Sequence, residues 1–442
     1  MNDTETRFDI AIIGGGSAAE ALLRELEGSG REIVMFETDL VGGECPFLAC
    51  MPSKSMLHDA KTGTDWADAV ARREEITSGL DDSGHAEDDR ELGATIVRER
   101  ARIVGEGRVE AAGTTYEVDH VVIATGAEPV APPIDGLDLD HDRVWTSRDA
   151  LTTHERPESV VMIGGGVIGS ELAYMFAGFG VDATTIDEAD RPADDLHPEV
   201  GRIIRETLEN VGVDVVNGAK VERVELSDSD GTVHLSDGSS VTAERVIVAV
   251  GRRPNTASVG LESVGIDPEE LEVGDAGRVV GTETVWIAGD AAGLAQYTHI
   301  ANHHAAVMAN HMVGDGTRRY DDVVVPACIF IDPPVMVVGD TWADLSDDDD
   351  VVWAETELNG ARNATDEHRT GFLAVAARKS TGCVVAANGI GARFDEIIHA
   401  LVVAIDGEVP VRRLDQMIQP FPTVGEVLDP TFASLKEQLD EA

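Results

Sequence analysis

The chain has 442 residues, enough for two or three domains with separate cores, and 43% of them are hydrophobic. Acidic residues outnumber basic ones 83 to 34, a formal charge of −49 that excludes nucleic-acid binding, which needs basic stripes. No apolar run reaches the ~18 residues of a membrane span, and the opening Met-Asn-Asp-Thr-Glu-Thr lacks the positive charge of a secretory signal, so a soluble cytoplasmic protein is expected.

Recurrent apolar runs and glycine turns exclude disorder as the reason for the acidity. A folded chain with this much like charge repels itself unless salt screens it, and at ~1 M salt the Debye length is only about 3 Å. The composition therefore reads as halophilic. Only five of the basic residues are lysines (Lys54, Lys61, Lys220, Lys379 and Lys436). A lysine four residues after a cysteine is conspicuous in such a chain.

Residues 7–37 form the first recognisable unit. "FDIAIIGGG" is an apolar run ending in glycines, "SAAEALLREL" has helical spacing, and "EIVMFE" is a second strand ending at Glu37. In Gly14-x-Gly16-x-x-Ala19 the first glycine permits a tight turn and the second lets backbone approach a pyrophosphate. Ala19 lets helix pack on strand, and Glu37 stands where an acid bonds a ribose. This predicts dinucleotide binding.

Next comes "VGGECPFLACMPSKSML" (41–57), which holds two of the four cysteines, Cys45 and Cys50. A metal pair, two buried thiols and a disulfide that opens and closes are all open at this point. The spacing is too wide for a zinc knuckle and no second Cys or His pair stands nearby, so no metal is expected. Cys328 and Cys383 sit in apolar surroundings and read as core residues.

The dinucleotide pattern then recurs. "SVVMIGGGVIGSELAYMFAGFG" with "VDATTID" repeats strand, Gly164-x-Gly166-x-x-Gly169, helix, strand and a terminal acid at Asp187. Two such units imply two dinucleotides, as in a flavin enzyme fed by a nicotinamide. "VDHVVIATGAEPVAPP" (118–133) and "AERVIVAVGRRPNT" (243–256) are each a strand, a small-residue turn and a proline, and "TVWIAGDAAG" (284–293) is a buried strand ending at Asp290. That aspartate stands at a strand's carboxyl end, where ligands bind open α/β sheets, with a helix N-cap as its plainer role. From about residue 318 the pattern turns β-rich, followed by two helical stretches (394–406 and 410–419), a separate α+β domain; "SDDDD" (346–350) reads as a solvated turn.

With these pieces in order, residues 8–426 resemble the FAD-dependent pyridine-nucleotide disulfide oxidoreductases, a family that includes lipoamide dehydrogenase, glutathione reductase, mycothione reductase and mercuric reductase. The most specific element is Gly42-Gly43-x-Cys45-x4-Cys50-x-Pro52-Ser53-Lys54. The resemblance implies an α/β chain with two Rossmann-like dinucleotide-binding domains and a C-terminal α+β dimerisation domain. The domains would be residues 1–143 and 259–317 (FAD), 144–258 (NAD(P)) and 318–442 (dimerisation). Cys45 and Cys50 would be the redox-active disulfide, Cys50 the thiolate touching the isoalloxazine and Cys45 the thiol that attacks the acceptor. Lys54 would sit near the flavin, paired with Glu171. FAD contacts would be Gly14, Gly16, Ala19, Glu37, Gly43, Lys54, Ala101, Thr125, Gly126, Asp290 and Thr298, the last through its backbone. Nicotinamide-nucleotide contacts would be Gly164, Gly166, Gly169, Asp187 and Gly251. The carboxylate of Asp187 favours NAD over NADP, with Arg191 alone nearby to hold a 2′-phosphate.

The chain departs from the family at its closing motif, His-Pro-Thr-x-x-Glu, which here is Phe421-Pro422-Thr423-Val424-Gly425-Glu426. In the family the histidine serves the partner subunit's cysteine as a proton shuttle, so Glu426 implies a homodimer, but a phenyl ring carries no proton. Between the cysteines Pro46-Phe47-Leu48-Ala49 replace the usual polar residue and glycine. Mercuric reductases also carry an aromatic at the Phe421 position, but their C-terminal cysteine pair is absent from "SLKEQLDEA". The expected activity is electron transfer from NAD(P)H through flavin and the Cys45–Cys50 pair to a disulfide or other thiol-reactive small molecule. The alternatives are a quinone or carrier reductase that bypasses the disulfide, and a lipoamide-dehydrogenase subunit of a 2-oxoacid dehydrogenase complex.

Overall fold

The side chains of Ile10, Ala11, Ile12 and Ile13 are all buried, as a strand covered on both faces requires. This strand, β1 (Ile10–Ile13), leads into α1 (Ser17–Glu25) and β2 (Ile33–Phe36). After them come α2 (Glu44–Phe47), α3 (Cys50–Thr62), β3 (Ala94–Val97) and β4 (His120–Ile123). The chain then forms β5 (Val144–Trp145), β6 (Ser159–Ile163), α4 (Val167–Gly178), β7 (Asp182–Asp187), α5 (Pro198–Asn210), β8 (Val213–Asn217) and β9 (Arg245–Val248). Two further elements, β10 (Val285–Ile287) and α6 (Thr298–Val313), precede a last group of strands. This computed structural model describes residues 6–320, 323–358, 360, 365 and 371–441.

Contacts divide the chain into two compact units. One is built from residues up to Ser55, Val70–Val130 and Gly251–Val323; the other from Met56–Ala69, Ala131–Val250 and Val324 onward. The first holds a five-stranded parallel sheet in the order β10-β4-β1-β2-β3. Strand order reverses at β1, and the carboxyl ends of β1 and β4 flank the crevice that such a reversal opens. Gly14 leaves β1 at φ +105°, and a Cβ there would lie 2.2 Å from the Ala124 carbonyl oxygen, so only glycine lets β1 turn this close to the end of β4.

The second unit repeats the plan with β5-β9-β6-β7-β8, again parallel, and order reverses at β6. It also carries an antiparallel sheet of β11 (Pro326–Ile329), β12 (Val335–Gly339), β13 (Val351–Glu357), β14 (Phe372–Arg378) and β15 (Val384–Ile390), ordered β11-β12-β15-β14-β13. Helices α7 (Phe394–Asp406) and α8 (Leu428–Glu441) bury Ile398, Leu401, Phe432 and Leu435 with this sheet. The chain is thus an α/β protein with two doubly wound nucleotide-binding sheets and a C-terminal α+β region.

Three local readings change. The second C-terminal helix covers only Val411–Leu414 rather than 410–419, with Asp415 as its C-cap. Cys383 is half-buried, its Sγ donating to the Glu408 carbonyl at 3.2 Å, because it closes a turn instead of facing the core. Asp290 caps no long helix: it lies in a short 3-10 turn (Gly289–Ala292), and the N-cap of α6 is Tyr297. The acidic run 346–350 is the turn into β13, with Asp348 accepting from Arg378 at 2.8 Å.

Candidate active site

Cys45 lies in α2 and Cys50 opens α3, so Cys50 sits at a helix N-terminus where a negative charge is favoured. The turn between them is closed by the amides of Leu48 and Ala49, both donating to the Glu44 carbonyl at 2.7 and 2.8 Å. Both cysteines are free thiols here, half-buried, and they meet at one hydroxyl. Thr298 Oγ1 donates to Cys45 Sγ at 3.2 Å and lies 3.5 Å from Cys50 Sγ, where either atom can donate. Thr298 opens α6, 253 residues from Cys45.

The two thiols are electrostatically unequal. The hydrogen bond from Cys45 pulls Cys50 down to about 6, aided by the Thr298 hydroxyl and the charge of Lys54 one turn along α3, against the burial that resists ionisation. Cys45 is pushed up because it is the donor to Cys50 and because it is buried, with the hydroxyls of Thr298 and Ser17 opposing. One sulfur is thus set to carry the charge and the other the proton. Beside them Glu44 is paired with Arg252, which also donates to the Ala127 carbonyl at 2.5 Å. Burial raises the carboxyl of Asp290, with Glu44 adding to the shift and Arg252 opposing it. Phe47, between the cysteines, is buried with its ring edge-on to His85 at 5.1 Å.

The first glycine loop lies against this cysteine loop. Gly16 and Gly42 form a parallel bridge, and a Cβ on Gly43 (φ +72°) would lie 2.7 Å from Gly16 Cα. Among the described residues no side chain caps α1, whose N-cap is Gly16, which leaves the start of the helix to a ligand such as a pyrophosphate. Glu37 follows β2 and spans the loop, accepting from the Gly15 amide at 2.7 Å and from the Thr38 and Asp39 amides at 2.7 Å each. Ala19 is buried in α1. Thr125 donates to the Asn255 carbonyl at 2.6 Å, Gly126 follows at φ +68° with open space where a Cβ would be, and Ala101 is buried at the start of the strand Ala101–Gly105. Gly251, also beside open space, accepts from the Val130 amide at 3.0 Å. An uncapped helix end, a loop pared to glycine and an acid at the next strand's end suit FAD.

The second loop is built alike in the other unit. Among the described residues no side chain caps α4, whose N-cap is Gly166, and a Cβ on Gly169 would lie 1.9 Å from the Gly164 carbonyl oxygen. Asp187 ends β7, with Oδ2 accepting from the Gly165 amide at 2.5 Å and Oδ1 from the Ala189 amide at 2.8 Å. The Arg191 guanidinium is folded into its own loop, donating to the Asp194 carbonyl at 2.5 Å and the Leu196 carbonyl at 3.2 Å. These features suit a nicotinamide dinucleotide without a 2′-phosphate. Glu171, buried on α4, accepts from the Phe330 amide at 2.8 Å.

The closing motif belongs to this unit too. Phe421 is 75% exposed and Ile418 95%, with Met417 exposed beside them, an unusual apolar display for a short segment. Glu426 lies in the 3-10 turn Val424–Val427, with Oε2 buried and no hydrogen-bond partner among the described residues. The structure thus gathers Cys45, Cys50, Lys54 and Thr298 in one place, while Glu171 and Glu426 lie in the other unit. Motif spacing did not reveal the hydroxyls of Thr298 and Ser17 or the Glu44–Arg252 pair. The arginine in "GRRPNT" was the one available hint.

Residues 8–309 match the family described as "Pyridine nucleotide-disulphide oxidoreductase", and residues 325–431 match its "dimerisation domain". The chain is 29% identical to a dihydrolipoyl dehydrogenase of Haloferax volcanii, over 97% of this chain and 96% of that one. It is 26% identical to a mercuric reductase of Staphylococcus aureus, over 95% of this chain and 81% of that one. Among solved structures, the Cu(II) complex of the HOCl-induced flavoprotein disulfide reductase RclA from Escherichia coli aligns with a TM-score of 0.88 at 25% identity, covering 98% of this chain and 100% of that one.

Proposed function

Because the chain belongs to the pyridine nucleotide-disulphide oxidoreductases, and so is an FAD- and NAD(P)H-dependent oxidoreductase, we propose that Cys45 and Cys50 are its redox pair and deliver electrons to a small thiol-reactive acceptor. The observation that carries this reading is the convergence of both sulfurs on Thr298, with the charge biased to Cys50 and the proton to Cys45.

FAD, when bound, would supply the two-electron redox chemistry between the nicotinamide and the disulfide. The chain's own residues do the rest. Gly14, Gly16, Ala19, Glu37 and Gly43 form the cradle for its adenosine and pyrophosphate; Ala101, Thr125, Gly126, Asp290 and Thr298 are the remaining contacts. Gly164, Gly166, Gly169 and Asp187 hold the nicotinamide nucleotide, and the Asp187 carboxylate selects NADH by repelling a 2′-phosphate. Opening the disulfide leaves Cys50 as the thiolate, held by Lys54 and the start of α3. Cys45, beside the hydroxyls of Thr298 and Ser17, is the sulfur that attacks the acceptor.

Phe421 bears on the acceptor. Proton transfer by a positioned base is worth ~10²–10⁴ in rate, and a phenyl ring supplies none, so an acceptor that demands no proton from that position suits this site best. A quinone or similar carrier is the second reading, favoured by the same ring. The exposed Met417, Ile418 and Phe421, within the stretch that matches a dimerisation domain, support a homodimer. A charge of −49 supports work in a cytoplasm of high ionic strength. Among the described residues no helix is long and apolar enough to cross a membrane. The test is turnover with NADH in molar KCl against small disulfides, lipoamide, quinones and Hg(II). Thiol-reactive acceptors should require both cysteines, and full activity in Cys45→Ser would turn the assignment toward the quinone reading.

A further inference from the structure

The loop 188–197 runs from the Asp187 end of β7 to the start of α5. Its first half closes on the acid itself, with the Ala189 amide donating to Asp187 Oδ1 at 2.8 Å. Its second half is fastened to the C-terminal sheet. The Asp195 carbonyl accepts from the Ala343 amide at 3.1 Å, and His197, only 5% exposed, is docked on the face of the sheet. Asn388, Ala374 and Glu355 stand in register across β15, β14 and β13, so their side chains share that face, and the small middle residue leaves room for an imidazole. His197 spans the row: its amide donates to Asn388 Oδ1 at 3.0 Å, and its Nε2 meets Glu355 Oε1 at 3.3 Å. The ring is edge-on to Trp342 at 4.4 Å and tilted against Phe372 at 4.9 Å.

We propose that His197, docked on Asn388 and Glu355, is a positioning residue that holds the 188–197 loop for the nicotinamide nucleotide and releases it when protonated, so that affinity for the nucleotide falls in acid. The inference rests on the nucleotide-site reading above. Asn388 is wholly buried, and its Nδ2 has no hydrogen-bond partner among the described residues. A buried donor left unpaired costs stability, so an apolar side chain would serve the strand better; what the asparagine contributes is its bond to His197. His197 is also the N-cap of α5, with Nδ1 accepting from the Glu199 amide at 3.2 Å. That bond leaves the ring's proton on Nε2, toward Glu355. An imidazolium carries a proton on both nitrogens and accepts nothing. Protonation at Nδ1 therefore strips the cap from α5 and buries a positive charge at the point where the loop is fastened.

Burial is the largest influence on the ring and holds its affinity for a proton below the usual imidazole range. Glu355 on β13 and Glu199 on α5 oppose that shift, and Arg191 in the loop adds to it. Asp195, two residues back, has its own carboxyl raised by burial, and Asp344 in the short helix Trp342–Leu345 accepts from the Thr341 hydroxyl at 2.6 Å. From β14 and β15 the ring meets Phe372, Ala374 and Asn388, none of them charged. A base whose proton affinity is lowered by folding supports the docked state fully above its ordinary value, about 6.5, and withdraws that support as pH falls below it. The nucleotide site therefore weakens on the acid side of neutrality.

The test is calorimetric titration of the FAD-loaded protein with NAD⁺, which survives acid, in molar KCl at pH 7.5 and 5.5, with Tm and flavin content measured at each pH. The wild type should bind about five- to tenfold more weakly at pH 5.5, which is what one helix cap is worth. His197→Asn keeps an oxygen for the Glu199 amide and takes no proton, so its affinity should be the same at both pH values. Glu355→Gln changes an exposed side chain, removes a charge that favours the imidazolium, and should move the loss of affinity to lower pH. Asn388→Leu should bind at pH 7.5 as weakly as the wild type does at pH 5.5, whereas a purely structural asparagine would lower Tm and leave affinity alone. Equal wild-type affinity at the two pH values overturns the latch. So does a His197→Asn that still loses affinity in acid, or an Asn388→Leu that binds like the wild type at pH 7.5. A wild type that binds no NAD⁺ at either pH overturns the nucleotide-site reading itself, whereas binding without pH dependence sinks only the latch.

Discussion

Replacing Asp187 with asparagine should collapse the preference for NADH proposed above. The carboxylate is fixed at the end of β7 by the Gly165 and Ala189 amides, at 2.5 and 2.8 Å, so it cannot swing away from an incoming 2′-phosphate. Two like unit charges 4 Å apart repel by ~4 kcal/mol at an effective dielectric constant of 20 and by ~1 kcal/mol in bulk water. Asp187 is half-buried and the assay medium is molar KCl, which places the net discrimination at ~2 kcal/mol, or roughly 30-fold in kcat/KM. The assay compares kcat/KM for NADH and NADPH with one acceptor in molar KCl. The wild type should favour NADH by about that factor, and Asp187→Asn should bring the ratio within a few-fold of unity, mostly through a better KM for NADPH. Arg191→Ala should leave the ratio where it was, because that guanidinium is committed to the Asp194 and Leu196 carbonyls. A wild type that prefers NADPH, or an Arg191→Ala that selectively loses NADPH turnover, would refute the reasoning.

The −49 charge should make folding depend on salt: Tm should climb steeply between ~0.1 M and ~3 M KCl as self-repulsion is screened, and a flat profile in a thermal scan would defeat the halophilic reading. Gly169→Ala pushes a methyl to 1.9 Å from the Gly164 carbonyl and should cost ~1–3 kcal/mol, lowering Tm and weakening NADH binding by calorimetry while the thiol count of the reduced protein is unchanged. Phe421→His should leave turnover with the preferred acceptor unchanged or lower it, because an acceptor that demands no proton at that position gains nothing from a base there; a tenfold gain in disulfide reduction would show that the missing histidine limits the wild type.

Much of the architecture could be read along the chain because its strongest constraints are local. The glycine spacing at Gly14–Ala19 and at Gly164–Gly169 is imposed by a strand turning into a helix within a few residues, and such a turn leaves its mark in sequence order. The apolar runs from about residue 318 likewise announced a β-rich C-terminal region. What escaped was set by tertiary contact. Nothing local to Thr298 says that its hydroxyl meets sulfurs 248 and 253 residues away. Apolar neighbours suggested a core position for Cys383, but register placed it at a turn beside Glu408. The helix expected over 410–419 had the right spacing but ends at Leu414, capped by Asp415.

The central claim is that electrons from the nicotinamide pass through Cys45 and Cys50. Its most direct test is anaerobic addition of one NADH per chain to the oxidised holoenzyme, followed at once by alkylation and peptide mapping. The account predicts a Cys45–Cys50 link before addition and two newly alkylated thiols after it, both mapping to these residues, with Cys328 and Cys383 unchanged. NADH that is consumed while Cys45 and Cys50 stay linked would contradict it.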